Sequence, residues 1–281
     1  MTSQTLLEFE PLIRLAAFLA VFGVVALWEV LKPRRSPAIG RLARWPHNIG
    51  ILVVNSVVLR LLASGSAIAV AVAGEARGWG LLNALAVPIW VAVPLGMILL
   101  DLAIYFQHVM FHAVPALWRL HRVHHADLDF DVTTGTRFHP IEILISMGIK
   151  CAVVAATGAP VIAVLAFEVL LNATAMFNHA NASVPGRFER WLRWLVVTPD
   201  MHRVHHSVRY DESSSNFGFN LPWWDRVFGT YRAQPRDGHD AMTIGVDAFR
   251  SPEDLRLDRL LLQPLRDTPG QYPINRRQGA G

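Results

Sequence analysis

The sequence predicts an all-α fold, a multi-pass membrane helical bundle with a cytoplasmic helical cap rich in histidine. Three observations carry this. Apolar residues make up 52% of the 281-residue chain and charged residues only 17%, whereas soluble domains carry about 25% charged residues. Long apolar runs recur through the first two thirds of the chain. The twelve histidines cluster beside and after those runs. The single cysteine, Cys151, excludes an intramolecular disulfide and any CxxC metal or redox motif. The net charge of +4 raises nucleic acid as a partner. Most basic residues flank apolar segments, however, as membrane topology requires, so no nucleic acid is expected.

A spanning helix needs about 20 mostly apolar residues. Residues 12–31 meet this. Glu8 and Glu10 precede the run, and Lys32, Arg34, Arg35, Arg41 and Arg44 follow it. A secretory signal carries its positive charge before the apolar run. The segment therefore reads as a retained anchor, with residues 32–47 on the cytoplasmic side. Residues 49–73 and 81–107 form the second and third spans. Residues 141–157 and 161–177 flank Thr157-Gly158-Ala159-Pro160, where Gly and Pro mark a turn. They read as a helical hairpin that crosses most or all of the bilayer. Residues 108–140 and 178–281 then face the cytoplasm.

The chain divides accordingly into membrane spans (1–100), a histidine-bearing domain (101–231) that includes the hairpin 141–177, and a C-terminal cytoplasmic tail (232–281). The last twenty residues read as loose. Four polar residues sit inside spans: Arg60, Asp101, Glu168 and Asn172. Such residues are costly in the bilayer and face a partner or a cavity. Pairing of Arg60 with Asp101 or Glu168 is the structural reading.

The third span ends in Asp101-x-x-x-Tyr105-x-x-His108-x-x-x-His112. Offsets of 4, 7 and 11 keep to one helical face. His108 and His112 can therefore grip one metal, and Asp101 and Tyr105 lie deeper on the same stripe, where they can orient a ligand. His121, His124 and His125 follow at i, i+3, i+4 spacing. The pentapeptide His-Arg-Val-His-His then recurs, giving His202, His205 and His206. Between the two copies, His179 stands in Phe177-Asn178-His179-Ala180-Asn181 at the hairpin's cytoplasmic end. Three boxes plus His179 exceed the needs of one metal and suit a dimetal site in an all-histidine cage. Nearby Asp101, Asp127, Asp129 and Asp200 can offset its charge. The pattern is neither the Glu-x-x-His of ferritin-like bundles nor a closed four-ligand zinc site. Imidazole alone suits iron, zinc, copper or nickel. His47 and His239 read as surface or capping residues. His139 reads either as a helix-starting residue or as a group that orients a ligand.

From Asp101 to Tyr231, roughly half the chain, these residues resemble the fatty acid hydroxylase/sterol desaturase superfamily of membrane-bound di-iron enzymes. Its pattern of H-x(3,4)-H, H-x-x-H-H and H-x-x-H-H is met by His108/His112, His121/His124/His125 and His202/His205/His206. Arg137-x-His139-Pro140-x-Glu142, Asn216-Phe217-Gly218 and Trp224-Asp225-Arg226-Val227-Phe228-Gly229-Thr230 also match. The resemblance implies two iron ions, O2 as co-substrate, and hydroxylation or desaturation of a lipid C–H bond in a sterol, fatty acyl or related lipid. Some relatives carry two histidines before the last box. Here His179 is followed by Asn181 and Ser183, and Asn181 would bind metal through water or leave a position open.

The chain has no fused haem domain, ferredoxin cysteines or G-x-G-x-x-G loop. Electrons are expected from a separate ferredoxin- or cytochrome b5-like reductase system. The bacterial inner membrane is the expected location, or the endoplasmic reticulum if the source is eukaryotic. A histidine-rich metal-handling membrane protein without redox chemistry is the competing class. The boxes gather at one membrane face rather than along the spans, which weighs against it. Residues 188–195 read as an amphipathic helix on the membrane surface. Residues 207–216 read as a plain loop beside the last box, with a mobile lid or a reductase-docking surface as the alternative.

Overall fold

A computed structural model describes residues 3–62 and 66–266. It is built from α1 (Ser3–Leu31), α2 (Arg41–Leu62), α3 (Ala67–Arg77), α4 (Leu81–Ala84), α5 (Ile89–Ala113), α6 (Pro115–His125), α7 (Pro140–Thr157), α8 (Val161–Asn178), α9 (Gly186–Leu192), α10 (Pro199–His205), α11 (Tyr210–Ser213), α12 (Trp223–Val227), α13 (Gly238–Ala241) and α14 (Leu257–Leu262). Among the described residues there is no strand, only the isolated bridges Pro33–Ala182 and Ser207–Ile244. Among the described residues, five segments are long and apolar enough to cross a membrane: α1, α5, α7, α8 and the segment from Arg41 to Ala84 that includes α2 and α3.

Two boundaries differ from the sequence reading. The third span does not begin at residue 81. Ala86 adopts a left-handed conformation (φ 48°), Pro88 caps the next helix, and α5 then runs unbroken from Ile89 to Ala113. It thus carries both His108 and His112. The second span begins earlier, at Arg41, and its far part is the separate helix α3, started by Ser66 Oγ accepting from Ala69 N.

The hairpin forms as expected. Gly158 (φ 67°) ends α7, and α7 and α8 have 18 residues each. At 1.5 Å per residue each is about 27 Å long, close to the hydrocarbon thickness. The turn rests on Gly80, where an added Cβ would fall 2.1 Å from Gly158 N. Two chains meet here that side chains would hold apart.

The apolar core lies between α3, α5, α7 and α8 and includes Ile68, Leu100, Ile104, Val154, Val164 and Phe167. Leu15, Leu19, Val53 and Trp90 face outward, as spans require when lipid is the solvent. Glu168 bridges Arg14 (3.0 Å) and Lys150 (2.5 Å) from α1 and α7. The suggested pairing of Arg60 with Asp101 or Glu168 does not form. Arg60 is exposed, and Asp101 accepts from Trp224 and Leu221 instead. Nothing in the periodicity of α2 indicated which face Arg60 would take.

The C-terminal end of α1, the N-terminal ends of α2 and α7, and the C-terminal ends of α5 and α8 converge under the cap. Glu29 Oε1 accepts from Val132 N (2.7 Å) and Asn181 N (2.8 Å). Arg44 binds both oxygens of Asp127 (2.8 and 2.7 Å) and reaches Asp131 (2.6 Å). Residues 232–266 wrap the cap rather than trail from it. Val246 and Phe249 pack on Trp118, Met242 and Ile244 on Phe130, and Leu260 on Ile51 and Val123. Arg122 Nη2 donates to Gln263 O and Arg266 O (both 2.7 Å). The apolar residues of this stretch are scattered without a period, so its burial was not legible. The rest of the expected tail, residues 267–281, lies outside the described residues.

Candidate metal centre

Four helices deliver the histidines near their C-terminal ends. His108 and His112 occupy the last two turns of α5. Pro115, at the first position of α6, restarts the chain at once, and α6 ends on His121, His124 and His125. Thr198 Oγ1 caps α10 by accepting from Met201 N, with Pro199 next in line. His202 and His205 follow, and His206 terminates the helix. His179 terminates α8.

All nine predicted histidines are buried and come together. They form two groups: His108, His112, His121, His125 and His205, then His124, His179, His202 and His206. Within each group one ring nitrogen per residue lies within 4.8 Å of the others. The groups adjoin through His125 and His206, whose rings stack at 4.4 Å.

The hydrogen bonds assign the tautomers. Nδ1 of His108 lies 2.8 Å from Phe217 O, that of His205 2.7 Å from Ser215 O, and that of His179 2.6 Å from Ala175 O. Nδ1 of His121 lies 2.6 Å from Glu142 Oε1. A carbonyl or carboxylate oxygen only accepts, so these Nδ1 atoms carry the proton and the opposite Nε2 atoms carry lone pairs. Those Nε2 atoms point inward. His108 Nε2 and His205 Nε2 are 2.9 Å apart, and His179 Nε2 lies 3.1 Å from both His124 and His202 and 3.2 Å from His206. His121 Nε2 is buried with no partner. Burial pushes His179 and His205 down to about 3, and holds His124, His125, His202 and His206 well below the ordinary range. Converging neutral imidazoles with unshared lone pairs fit cations and little else.

Several residues act one step back. Glu142, in the first turn of α7, fixes the ring of His121. The sequence marked it only as part of Arg137-x-His139-Pro140-x-Glu142. Asp225 accepts from Phe217 N (2.7 Å), Gly218 N (2.8 Å) and Thr230 Oγ1 (2.7 Å). It thereby holds the carbonyl that orients His108. Tyr105 OH completes the chain by donating to Thr230 Oγ1 (2.9 Å). Phe138 stacks on His124 at 4.3 Å, and Trp118 lies 4.9 Å from His112.

Three expectations need correction. Asp101 touches no histidine. Its Oδ2 accepts from Trp224 Nε1 (2.8 Å) and Leu221 N (3.3 Å), so it anchors the segment after the last box. Asn181 does not face the cage. Its Oδ1 accepts from Arg35 N (3.1 Å) and its Nδ2 donates to Arg35 O (2.8 Å), so both polar ends serve to hold the 33–35 segment. The carboxylates suggested as counter-charges form their bonds elsewhere, Asp127 with Arg44, Asp129 with Ile39 N and Phe130 N, and Asp200 with Arg203, while Asp127 still acts electrostatically on His179. His139 is a helix cap, accepting from Ile141 N. His239, read as a surface or capping residue, is buried 3.7 Å from Asp200.

The family model described as "Fatty acid hydroxylase" matches residues 93–230. The chain is 30% identical over 149 residues to the ornithine lipid hydroxylase OlsE of Rhizobium tropici, covering 53% of this chain and 44% of that protein. It is 29% identical over 161 residues to the alkylglycerol monooxygenase of Homo sapiens (57% and 34% covered). It is 25% identical over 140 residues to the human cholesterol 25-hydroxylase (48% and 49% covered). The chain thus spans less than half the length of these curated relatives. No solved structure matches it.

Proposed function

We propose that this protein, whose residues 93–230 match the fatty acid hydroxylase family model, is a membrane di-iron oxygenase that hydroxylates or desaturates a membrane lipid. The carrying observation is the pair of buried imidazole cages, with lone pairs turned inward at one end of an apolar bundle. In this reading His108, His112, His121, His125 and His205 hold one iron, and His124, His179, His202 and His206 hold the other. When bound, the irons would supply O2 activation and the oxidising power to remove hydrogen from an unactivated carbon.

The chain's own residues do the rest. The carbonyls of Ala175, Ser215 and Phe217 and the carboxylate of Glu142 fix tautomers and ring orientation. Phe130, Phe138 and Phe217 line the cages with apolar surface. Phe219 sits 6.2 Å from both His108 and His202, one from each cage, and packs against the intramembrane core. The hydrocarbon of a lipid would meet the centre at this residue. The relatives act, by their names, on an ornithine lipid, alkylglycerols and cholesterol. Their shared chemistry, a long apolar body with a polar end, is the substrate class proposed here. The cage faces the cytoplasm, on the arginine-rich side of α1, and electrons arrive from a separate reductase system.

The test is metal analysis of detergent-purified protein, with lipid profiling of expressing cells by mass spectrometry. About two irons per chain and a new oxidised lipid are expected. The lipid should be lost in His124→Ala and His205→Ala while membrane insertion persists. Full activity of either variant overturns the reading.

A further inference from the structure

The segment after the last histidine box leaves the cap and descends beside the spans. Asn216 N donates to Thr230 O (2.9 Å), closing residues 217–229 into a loop. Two span helices fix its inner side. On α5, Asp101 accepts from Trp224 and Leu221, and Tyr105 donates to Thr230. On α8, Thr174 bonds Asn220 through its hydroxyl, and Asn178 Nδ2 donates to Phe219 O (3.0 Å). Asp101 lies seven residues before His108 on α5, or about 10 Å along the axis. Thr174 lies five residues before His179, or about 7 Å. The loop therefore reaches the depth of the apolar spans.

Its outer side is apolar. Trp223, Val227 and Phe228 are exposed. Phe228 packs 5.1 Å from Phe106, which is itself exposed on α5, so loop and span present one continuous surface. Trp223 Nε1 donates to Trp194 O (2.8 Å), and exposed Trp191, Trp194 and Leu195 extend the patch around the cap's edge. The loop's two charged side chains are both engaged within the protein. Asp225 is buried among its three donors, and Arg226 lies over the rings of Trp194 (4.2 Å) and Tyr231 (4.1 Å) with Nη1 donating to Pro222 O. Three of the loop's backbone donors are met within the protein, as hydrocarbon demands: Leu221 N by Asp101, Phe228 N by Trp224 O, Thr230 N by Asp225 O.

We propose that residues 219–228 form a membrane-inserted loop whose Trp223, Val227 and Phe228 contact phospholipid acyl chains beside α5. The continuity with Phe106 on a spanning helix selects lipid as the occupant, and Asp101 and Thr174, both deeper than the histidines on their helices, hold the loop's inner side at span level. This inference does not depend on the metal or on the reaction.

The test is site-directed spin labelling in proteoliposomes of phosphatidylethanolamine and phosphatidylglycerol, on a Cys151→Ala background. A nitroxide at Val227→Cys is compared with Leu19→Cys on the outer face of α1 and with Arg236→Cys on the exposed cap. Relaxation by O2, which partitions into hydrocarbon, is set against relaxation by a water-soluble nickel chelate. The Val227 label is expected to match Leu19, with oxygen dominant. A nickel-dominated response like that of Arg236, or protection from both reagents as under a protein partner, overturns the proposal. Should Val227→Cys fail to insert, Trp223→Cys gives the same reading from the same face.

Discussion

His108 and His205 turn their Nε2 atoms toward each other across 2.9 Å while their Nδ1 protons go to Phe217 O and Ser215 O. No proton is left to bridge the two lone pairs. Without a cation the contact is repulsive. The cost of assembling this pair is met by the rest of the fold, and a bound metal relieves it.

Metal removal should therefore destabilise the protein as well as inactivate it. A ligand present at a hundredfold excess over its Kd adds about 2.7 kcal/mol to the folded state. Thermal melts in detergent with and without a strong chelator should show a lower Tm for the stripped protein, restored by Fe(II). An unchanged Tm would mean that the cages are relaxed when empty.

Glu142→Gln should weaken metal binding at the first cage and leave the second intact. Glu142 Oε1 holds His121 Nδ1 at 2.6 Å. Loss of such an orienting carboxylate lowers metal affinity about 10- to 100-fold. Competition titrations with a chromophoric chelator should resolve one weakened site per chain. Equal weakening of both sites would count against the separation of the cages.

The metal-free protein should lose stability as pH falls. Burial holds His179 and His205 at about 3, against an ordinary value of 6.5. The unfolded chain therefore binds protons that the folded chain refuses between about 6.5 and 3. Stability from these groups is fully present above 6.5 and declines on acidification, by roughly 1.4 kcal/mol per pH unit for each. Melting curves of the stripped protein at pH 7.5 and 5.5 should show the lower Tm at 5.5. The opposite order would refute the neutral cage.

Phe219→Ala and Phe219→Trp should shift which carbon of the lipid is oxidised. Among the described residues, Phe219 combines proximity to His108 and His202 with packing on the intramembrane core. Iron content should stay at the parent level while the product positions change in mass spectrometric fragmentation. An unaltered product pattern in both variants would remove Phe219 from the substrate path.

The sequence by itself determined the helical class, the apolar spans and the identity of all nine caged histidines. Each of these is a local property. Apolar runs long enough to cross a bilayer need no partner to be recognised, and spacings of three and four place histidines on one helical face whatever lies opposite. Only the tertiary structure decided how the boxes are shared. Consecutive residues on a helix point about 100° apart, so His124 and His125 turn into different cages, as do His205 and His206. Which cage each one enters depends on what the loops bring opposite. Those loops carry no period. Asp101 facing Trp224, Asn181 facing Arg35, and residues 232–266 wrapped on Trp118 and Phe130 are pairings between distant parts of the chain. Local patterns fix the face a residue presents, whereas its partner is set by the packing of the whole bundle.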